Sequence, residues 1–219
     1  MADAVIALRL PAAMNDRTDQ GARLRMAKYP AILLAAGQGA RFDPSGLQDK
    51  LLQVLPSGVT VAGASASHLL AAVPTVVAVL RPGADQLAAI LQSQGCVVTT
   101  CPNPGDGMAM SLAHGLRHAL AHTPDAKGCL IALADMPYLR PATLQALLAA
   151  LEAGADIAAP VHHGQRGNPV GFSCRHLPRL LQLQGDQGAR SLLKACAVTE
   201  VEVDDPGILH DIDTPADLT

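Results

Sequence analysis

Between Pro30 and Phe42 the chain reads Ala31-Ile32-Leu33-Leu34-Ala35-Ala36-Gly37-Gln38-Gly39-Ala40-Arg41, and no other stretch restricts the fold as much. Six uncharged, mostly bulky residues end at Gly37. A short apolar run bounded by glycine suits a strand covered on both faces. Gly37 and Gly39 let the backbone turn sharply and bring its N–H groups against a ligand. Arg41 and, a little further on, Lys50 set two positive charges near the same loop. Oriented donors together with neutralising charge are what a polyphosphate needs. The loop is neither the G-x-G-x-x-G dinucleotide fingerprint nor the G-x-x-x-x-G-K-[ST] P-loop. Taken alone it reads equally as a phosphate-binding loop or as an ordinary strand-to-loop turn.

Downstream, the pattern alternates. Phe42 to Asp49 is polar, with Pro44 and Gly46, and reads as a flexible lid segment. Thr60 to Val73 predicts a helix. Thr75 to Leu80 is β-branched and continuous, a second buried strand. Ala84 to Gln94 carries Leu87, Ile90 and Leu91 at helical spacing, with Gly95 as the stop. Cys96 to Thr100 predicts a third strand and Cys129 to Ala134 a fourth. Between them lie a turn-rich Asn103–Gly107 loop and a helix from Met108 to Leu120. Pro141 opens a helix that ends at Gly154. Asp156–Val161 and Pro169–Ser173 read as further strands, Ala189–Ala195 as a short helix, Val198–Val203 as a half-exposed strand. Thr214-Pro215 predicts a terminal helix with a threonine cap. Strands alternating with helices imply a parallel sheet with helices on both faces. Ligands of such sheets sit at the carboxyl ends of the strands. Gly37, Arg81, Asn103, Asp135 and the Arg166 loop all fall at such ends and can converge on one cleft.

With 219 residues the chain is long enough for one large α/β domain. No linker or repeat appears, so residues 30–219 read as a single domain. Residues 1–29 are polar by contrast and suggest a poorly ordered extension, or a start codon placed ahead of Met26. At 49% hydrophobic and 16% charged the composition argues for a compact globular protein and against disorder of the chain as a whole. A net charge of −3 without a basic block argues against nucleic acid as a partner. An aromatic content of 2% leaves no stacking platform for single strands. No run approaches the ~18 apolar residues of a membrane span. Five cysteines without a C-x-x-C fit free thiols in a reducing cytoplasm.

Several residues carry chemistry. Asp135 follows a buried strand, where a carboxylate can hold Mg²⁺ or accept N–H bonds in a turn. Asp211-Ile212-Asp213 puts two carboxylates on one side of an extended chain. One of them could complete a metal site while the other braces the helix, or both are surface charge. Asn103 and Ser111, beside the free N–H groups of a helix start, suit the edge of a base or an ordinary capped helix. His114, His118 and His122 share a helix face; with no glutamate between them, a solvated face is the better reading than zinc. Two glycine-flanked polar loops, Gly164–Pro169 and Gly185–Arg190, can be plain turns or cradles for an anionic substrate, with Arg166 or Arg190 supplying charge.

The ordered set Leu34-Ala35-Ala36-Gly37-x-Gly39-x-Arg41…Lys50-Leu51-Leu52, Gly107-Met108-x-x-Ser111-Leu112, Asp135-Met136-Pro137, Arg166-Gly167-Asn168-Pro169-Val170, Gly185-Asp186-x-Gly188-Ala189-Arg190 and Asp211-x-Asp213-Thr214-Pro215-x-Asp217-Leu218 resembles the nucleotidyltransferases of the molybdenum-cofactor type. The resemblance covers residues 31–218. It implies a Rossmann-like three-layer α/β sandwich of the nucleotide-diphospho-sugar transferase type, with a mostly parallel sheet. It also implies transfer of a nucleotide to a pterin phosphate with release of pyrophosphate. Arg41, Lys50 and Asp135 would be catalytic. Leu34, Ala35, Ala36, Gly37, Gly39, Arg81, Asn103, Gly107, Met108 and Ser111 would surround the nucleotide. Arg166, Asn168, Gly185, Asp186, Gly188 and Arg190 would meet the acceptor. Mg²⁺ would sit on Asp135 with Asp211 or Asp213. Leu-Ala-Ala-Gly looks like the cytidylyl version, since guanylyl relatives usually carry glycine at the position of Ala36. The implied partners are CTP and molybdopterin, with a molybdoenzyme or its chaperone as a further one. The same cleft would serve GTP or a sugar phosphate. Eight residues separate Arg41 from Lys50, more than the common spacing, and Asp43 replaces a usual glycine. That departure keeps a third class open, a non-catalytic nucleotide-binding regulator or cofactor-loading partner.

Overall fold

A computed structural model describes residues 27–37, 39, 41–185 and 189–218. The extension expected at 1–29 lies, up to residue 26, outside the described residues, as do Asp186 and Gly188. Strands β1 (Ala31–Ala35), β2 (Val76–Leu80), β3 (Val97–Thr100), β4 (Gly128–Leu133), β5 (Ile157–His162), β6 (Gln165–Arg166), β7 (Val170–Ser173) and β8 (Thr199–Glu202) form one sheet. Its order is β3-β2-β1-β4-β7-β5-β6, with β8 beside β5. The β3-β2-β1-β4 half is parallel throughout, and β8 is parallel to β5. Helices are α1 (Val61–Ala72), α2 (Asp85–Ser93), α3 (Met108–His122), α4 (Pro141–Glu152), α5 (Leu177–Leu181) and α6 (Arg190–Ala195). No helix among the described residues is long and apolar enough to cross a membrane.

Successive strand residues point to opposite faces, and two cores result. Leu33, Ala78, Leu80, Leu130 and Ala132 pack with Leu69, Leu87, Leu91, Leu144 and Leu147 of α1, α2 and α4. Ile32, Val77, Val79, Cys129 and Ile131 pack with Leu112, Leu116, Leu180 and Leu192 of α3, α5 and α6. Helix α3 comes especially close. A Cβ at Gly115 would overlap the Val79 side chain and lie 2.8 Å from Ile32 Cγ2. Hence the middle of α3 is fixed against β1 and β2, and its first turns, with Met108 and Ser111, reach the cleft.

Three expectations are corrected. Pro169–Ser173 does hold a strand, but β7 runs antiparallel to both β4 and β5. Only residues 163–169 separate β5 from β7, and a parallel crossover needs a dozen or more. The terminal helix is a single 3₁₀ turn, Pro215–Leu218. Thr214 does not cap it; Thr214 Oγ1 donates to Asp217, whose carboxylate also accepts from the Asp213 and Thr214 N–H groups. The Phe42–Asp49 lid is an organised loop. Phe42 is buried, and the Asp43 carboxylate accepts from the Ser45 hydroxyl, the Ser45 N–H and the Gln48 N–H. The bond from the Ser45 hydroxyl, followed by the backbone bonds, holds the Asp43 carboxyl below the usual carboxylate range.

All five cysteines are free thiols. Burial pushes Cys96 up to about 11 and Cys129 up to about 12, whereas Cys174 is exposed. A thiol-exchange reagent at pH 8 should therefore modify Cys174 in the folded protein and reach Cys96 and Cys129 only after denaturation, as read by peptide mass spectrometry. Gly115→Ala should cost about 1–3 kcal/mol through overpacking. For a chain of this size that lowers Tm by about 2–4 °C per kcal/mol; an unchanged thermal melt would mean that α3 can back away from the sheet.

Candidate active site

A cleft of about 400 Å³ opens at the carboxyl ends of β1 and β4. Its lining includes Leu34, Ala35, Ala36, Gly37, Gly39, Arg41, Lys50, Met108, Ser111, Asp135, Arg190, Asp211 and Asp213. Each element delivers its residue for a local reason. Strand β1 ends at Ala35, and the chain leaves it through Gly37. Gly39 has φ +64°, in the left-handed region that favours glycine. A Cβ built there would meet Lys50 Cγ at 3.6 Å, so the loop backbone rests beside the lysine stem. Gly107, at φ 103°, turns the chain into α3, whose first turn offers unpaired N–H groups to the cleft.

Asp135 stands two residues beyond β4. Its carbonyl accepts the Ile212 N–H at 2.8 Å, which ties the segment after β8 to the sheet's edge. The Ile212 side chain is fully buried, and in an extended chain its neighbours face the other way. Asp211 and Asp213 consequently both turn toward Asp135. Oxygen atoms of the three carboxylates lie within 4.8 Å of one another.

Two cations meet this group. Lys50 heads a 3₁₀ turn, Lys50–Leu52, capped by the Asp49 carboxylate on the Leu51 N–H. Its Nζ lies 2.6 Å from Asp135 Oδ2, 2.9 Å from the Ile212 carbonyl and 3.6 Å from Asp213 Oδ1. Arg41 Nη1 donates to Asp213 Oδ2 at 2.5 Å. The long loop therefore does bring Lys50 to Asp135.

The donor set fits a divalent cation. Asp135 Oδ1 is buried and has no hydrogen-bond partner, a costly arrangement for a carboxylate oxygen. Three oxygen ligands around it suit a hard cation that keeps other positions for water or phosphate. Among the described residues this is the one group of histidine, cysteine or carboxylate ligands close enough to hold a metal. On the histidine face the His114 and His118 rings lie 4.8 Å apart, but among the described residues they form no set of three metal ligands. His118 and His122 are exposed. His114 is half-buried, with Nε2 2.8 Å from Thr99 Oγ1. Burial, then the neighbouring His118 and Arg117, hold its imidazole below the ordinary histidine value.

A second lobe of about 270 Å³ shares Leu34, Met108, Leu133 and Arg190 with the cleft. Leu112, Val170 and Phe172 give it apolar walls, and Arg166, Gly167 and Asn168 line it as well. Arg166 is also engaged by Glu200 at 2.6 Å. The Gly185 carbonyl accepts the Ala109 N–H at the start of α3. Asn103 precedes the lining residue Pro104 and Gly107 precedes the lining residue Met108, without lining the cleft themselves. Arg81 stands apart from both lobes, its guanidinium held by Asp49 and the Gly37 carbonyl.

Phe42, Pro104 and Leu133 line the cleft although sequence reasoning did not mark them. Asp205 was missed too. It is 1% exposed, and its carboxylate accepts from Arg140 N–H, the Thr143 hydroxyl and Gly207 N–H, pinning the segment that carries Asp211 and Asp213 to the start of α4. The second of two adjacent aspartates, Asp204-Asp205, gives no sign in the sequence of such burial.

Residues 31–201 match the MobA-like NTP transferase domain. The purine catabolism protein PucB of Bacillus subtilis (strain 168) is 37% identical over 118 residues, 52% of this chain and 56% of PucB. The match thus spans little more than half of that relative. Rv0371c from Mycobacterium tuberculosis H37Rv superposes with a TM-score of 0.72 at 27% identity, covering 86% of this chain and 94% of that one. The same protein has been solved in complex with manganese, at a TM-score of 0.65 and 27% identity, with 86% and 95% covered. Molybdopterin-guanine dinucleotide biosynthesis protein A from Archaeoglobus fulgidus shares the fold at 23% identity and a TM-score of 0.58, covering 86% of this chain and 94% of that one.

Removing Lys50 leaves the Asp135 carboxylate without its cation. Lys50→Met should cost about 1–3 kcal/mol in metal-free buffer. Added Mn²⁺ should raise the variant's Tm more than the wild type's; equal shifts would mean that Lys50 and the metal do not share these oxygens.

Proposed function

The chain belongs to the MobA-like NTP transferase domain family, and from that premise we propose that it transfers CMP from CTP to the phosphate of molybdopterin with release of pyrophosphate. One observation carries the reading. Arg41, Lys50 and the carboxylates of Asp135, Asp211 and Asp213 line one cleft beside the Gly37–Gly39 loop, within reach of a single triphosphate.

The chemistry follows from charge. An oxygen of the acceptor phosphate attacks the α-phosphorus of CTP. A P–O bond forms there, and the bond to the β-phosphate oxygen breaks. A phosphate monoester has its second pKa near ~6, so the attacking oxygen is already ionised at neutral pH and no general base is needed. The barrier is the approach of anion to anion, and the protein's part is positioning and electrostatics. Lys50 and Arg41 neutralise phosphate oxygens and the departing pyrophosphate. N–H groups of the glycine loop donate to the phosphate chain. Asp135, Asp211 and Asp213 would hold Mg²⁺, which when bound offsets triphosphate charge. The manganese complex of Rv0371c supports a divalent ion in this fold.

Choice of base and acceptor rests on the walls. Ala36 lines the cleft with a methyl where glycine would leave more space, which favours the smaller pyrimidine. The second lobe offers apolar walls for a flat heterocycle and two arginines for an anionic group. The name of PucB places that relative in purine catabolism; here a molybdoenzyme or its chaperone would receive the product of the transfer.

Purified protein should release pyrophosphate from CTP, and not from GTP, when molybdopterin and Mg²⁺ are supplied. Preference for GTP, or transfer only to a sugar phosphate, would overturn the assignment. Asp135→Ala should lower kcat by about 10²–10³-fold, the size of a lost charge-stabilising group, with a smaller change in CTP affinity by calorimetry. Unchanged kcat would remove Asp135 from the mechanism.

A further inference from the structure

We infer that Arg81 and Asp49 are a positioning pair: they close the 38–48 loop at its two ends and thereby seat Lys50 against Asp135. The inference rests on the nucleotidyl-transfer reading and adds to it a role for two residues outside the cleft lining.

Arg81 is the first residue after β2. Its Nη1 donates to the Gly37 carbonyl at 3.1 Å, and its Nη2 donates to Asp49 Oδ2 at 2.7 Å. Gly37 is where the chain leaves β1, and Asp49 immediately precedes Lys50. One guanidinium therefore grips both ends of the loop. A planar fork can satisfy two acceptors at once, which a lysine ammonium on a flexible stem does less well. The other Asp49 oxygen, Oδ1, accepts the Leu51 N–H at 3.0 Å, and the Asp49 carbonyl accepts the Leu52 N–H at 3.1 Å and Gln53 Nε2 at 3.0 Å. Asp49 thus passes the grip of Arg81 directly to the turn that starts with Lys50. Gly39 rests against the lysine stem from the other side.

The pair answers the unusual spacing between Arg41 and Lys50. A longer loop samples more end-to-end separations, and the bonds of Asp43, to Gly39, Ser45, Gly46 and Gln48, stay within the loop and do not reach Lys50. Without a clasp at its base, that loop would leave the placement of Lys50 to the contacts of Nζ with Asp135, Ile212 and Asp213. Misplacing a catalytic group by about 1 Å can cost about 10²-fold in rate.

The test is a double-mutant cycle with a chemical probe. Asp49→Asn keeps an oxygen for the Leu51 N–H but turns a donor toward Arg81. With CTP and molybdopterin, Asp49→Asn should lower kcat about tenfold and leave the KM for CTP within about twofold. In a Lys50→Met background it should cost nothing further. Arg81→Lys should lose about as much as Asp49→Asn. Multiplying losses in the double variant, or a raised KM for CTP in both backgrounds, would overturn the inference and place Arg81 on the nucleotide. Reductive methylation of the ligand-free protein, followed by peptide mass spectrometry, reads the seat of Lys50 without turnover. Lys50 should be modified several-fold faster in Asp49→Asn and in Arg81→Ala than in the wild type. Equal rates would overturn the inference. Full kcat in Lys50→Met would instead bring down the transfer reading, and the methylation rates would still decide whether the clasp exists.

Discussion

The ion pair between Lys50 and Asp135 is the contact on which the arrangement of the cleft turns. A carboxylate at the end of a buried strand and an ammonium from a distant loop meet at 2.6 Å, both largely shielded from solvent. Neither side chain would be tolerable there alone, because an unpaired charge in such a place is costly. Their union also sets the position of everything nearby. The same ammonium holds the Ile212 carbonyl, and the Asp135 carbonyl holds the Ile212 N–H. Ile212 is therefore gripped on both sides, and the carboxylates that flank it have one place to go. With three carboxylates against Lys50 and Arg41, the group keeps an excess of negative charge, and Asp135 Oδ1 remains unsatisfied. A divalent cation answers both.

Behind this contact stands close backbone packing. The segment after β8 crosses two other stretches at distances that exclude any side chain. A Cβ at Gly167 would strike the Ile208 carbonyl, and one at Gly207 the Tyr138 carbonyl. The Asn168 N–H donates to the Ile208 carbonyl, so the Arg166–Asn168 wall of the second lobe and the aspartate-bearing segment are stitched together. Asp205 adds a carboxylate at the start of α4, where free N–H groups and the helix dipole favour negative charge. The two lobes thus share one framework, which suits a reaction that must bring two anions together.

Much of this was legible in the residues. The apolar run 31–36, the continuous Val76–Leu80 strand and the helical periodicities of α2 to α4 are dictated by local pattern, and the structure follows them. Of the residues expected to converge because strand ends of a parallel sheet share a rim, Gly37 and Asp135 line the cleft and Arg166 the second lobe, whereas Arg81 and Asn103 line neither. What escaped notice depends on contacts that no short window contains. The antiparallel direction of β7 is decided by the brevity of the 163–169 connection. Helix α5 is five residues long, with Pro178 in its first turn, too short to show a period. Asp43, Asp49, Asp205 and Asp217 look alike in the sequence, yet each is spent on a different backbone task. Arg81 looked like a nucleotide contact because it follows a strand; its guanidinium is taken up by Gly37 and Asp49 instead.

The pocket's charges come from opposite ends of the described chain. Lys50 and Ile212 are 162 residues apart, and Arg41 and Asp213 are 172 apart. Contacts of such separation close large loops and form late, after local elements have docked. A nascent or partly folded chain that has built β1 to β4 already carries the glycine loop, Lys50 and Asp135, but with cations in excess. Without Asp211 and Asp213, Lys50 and Arg41 would face Asp135 as the one cleft-lining carboxylate among the described residues. Closing the pocket's charge set therefore depends on contacts between residues 41–50 and residues 211–213, which no stretch of local structure supplies.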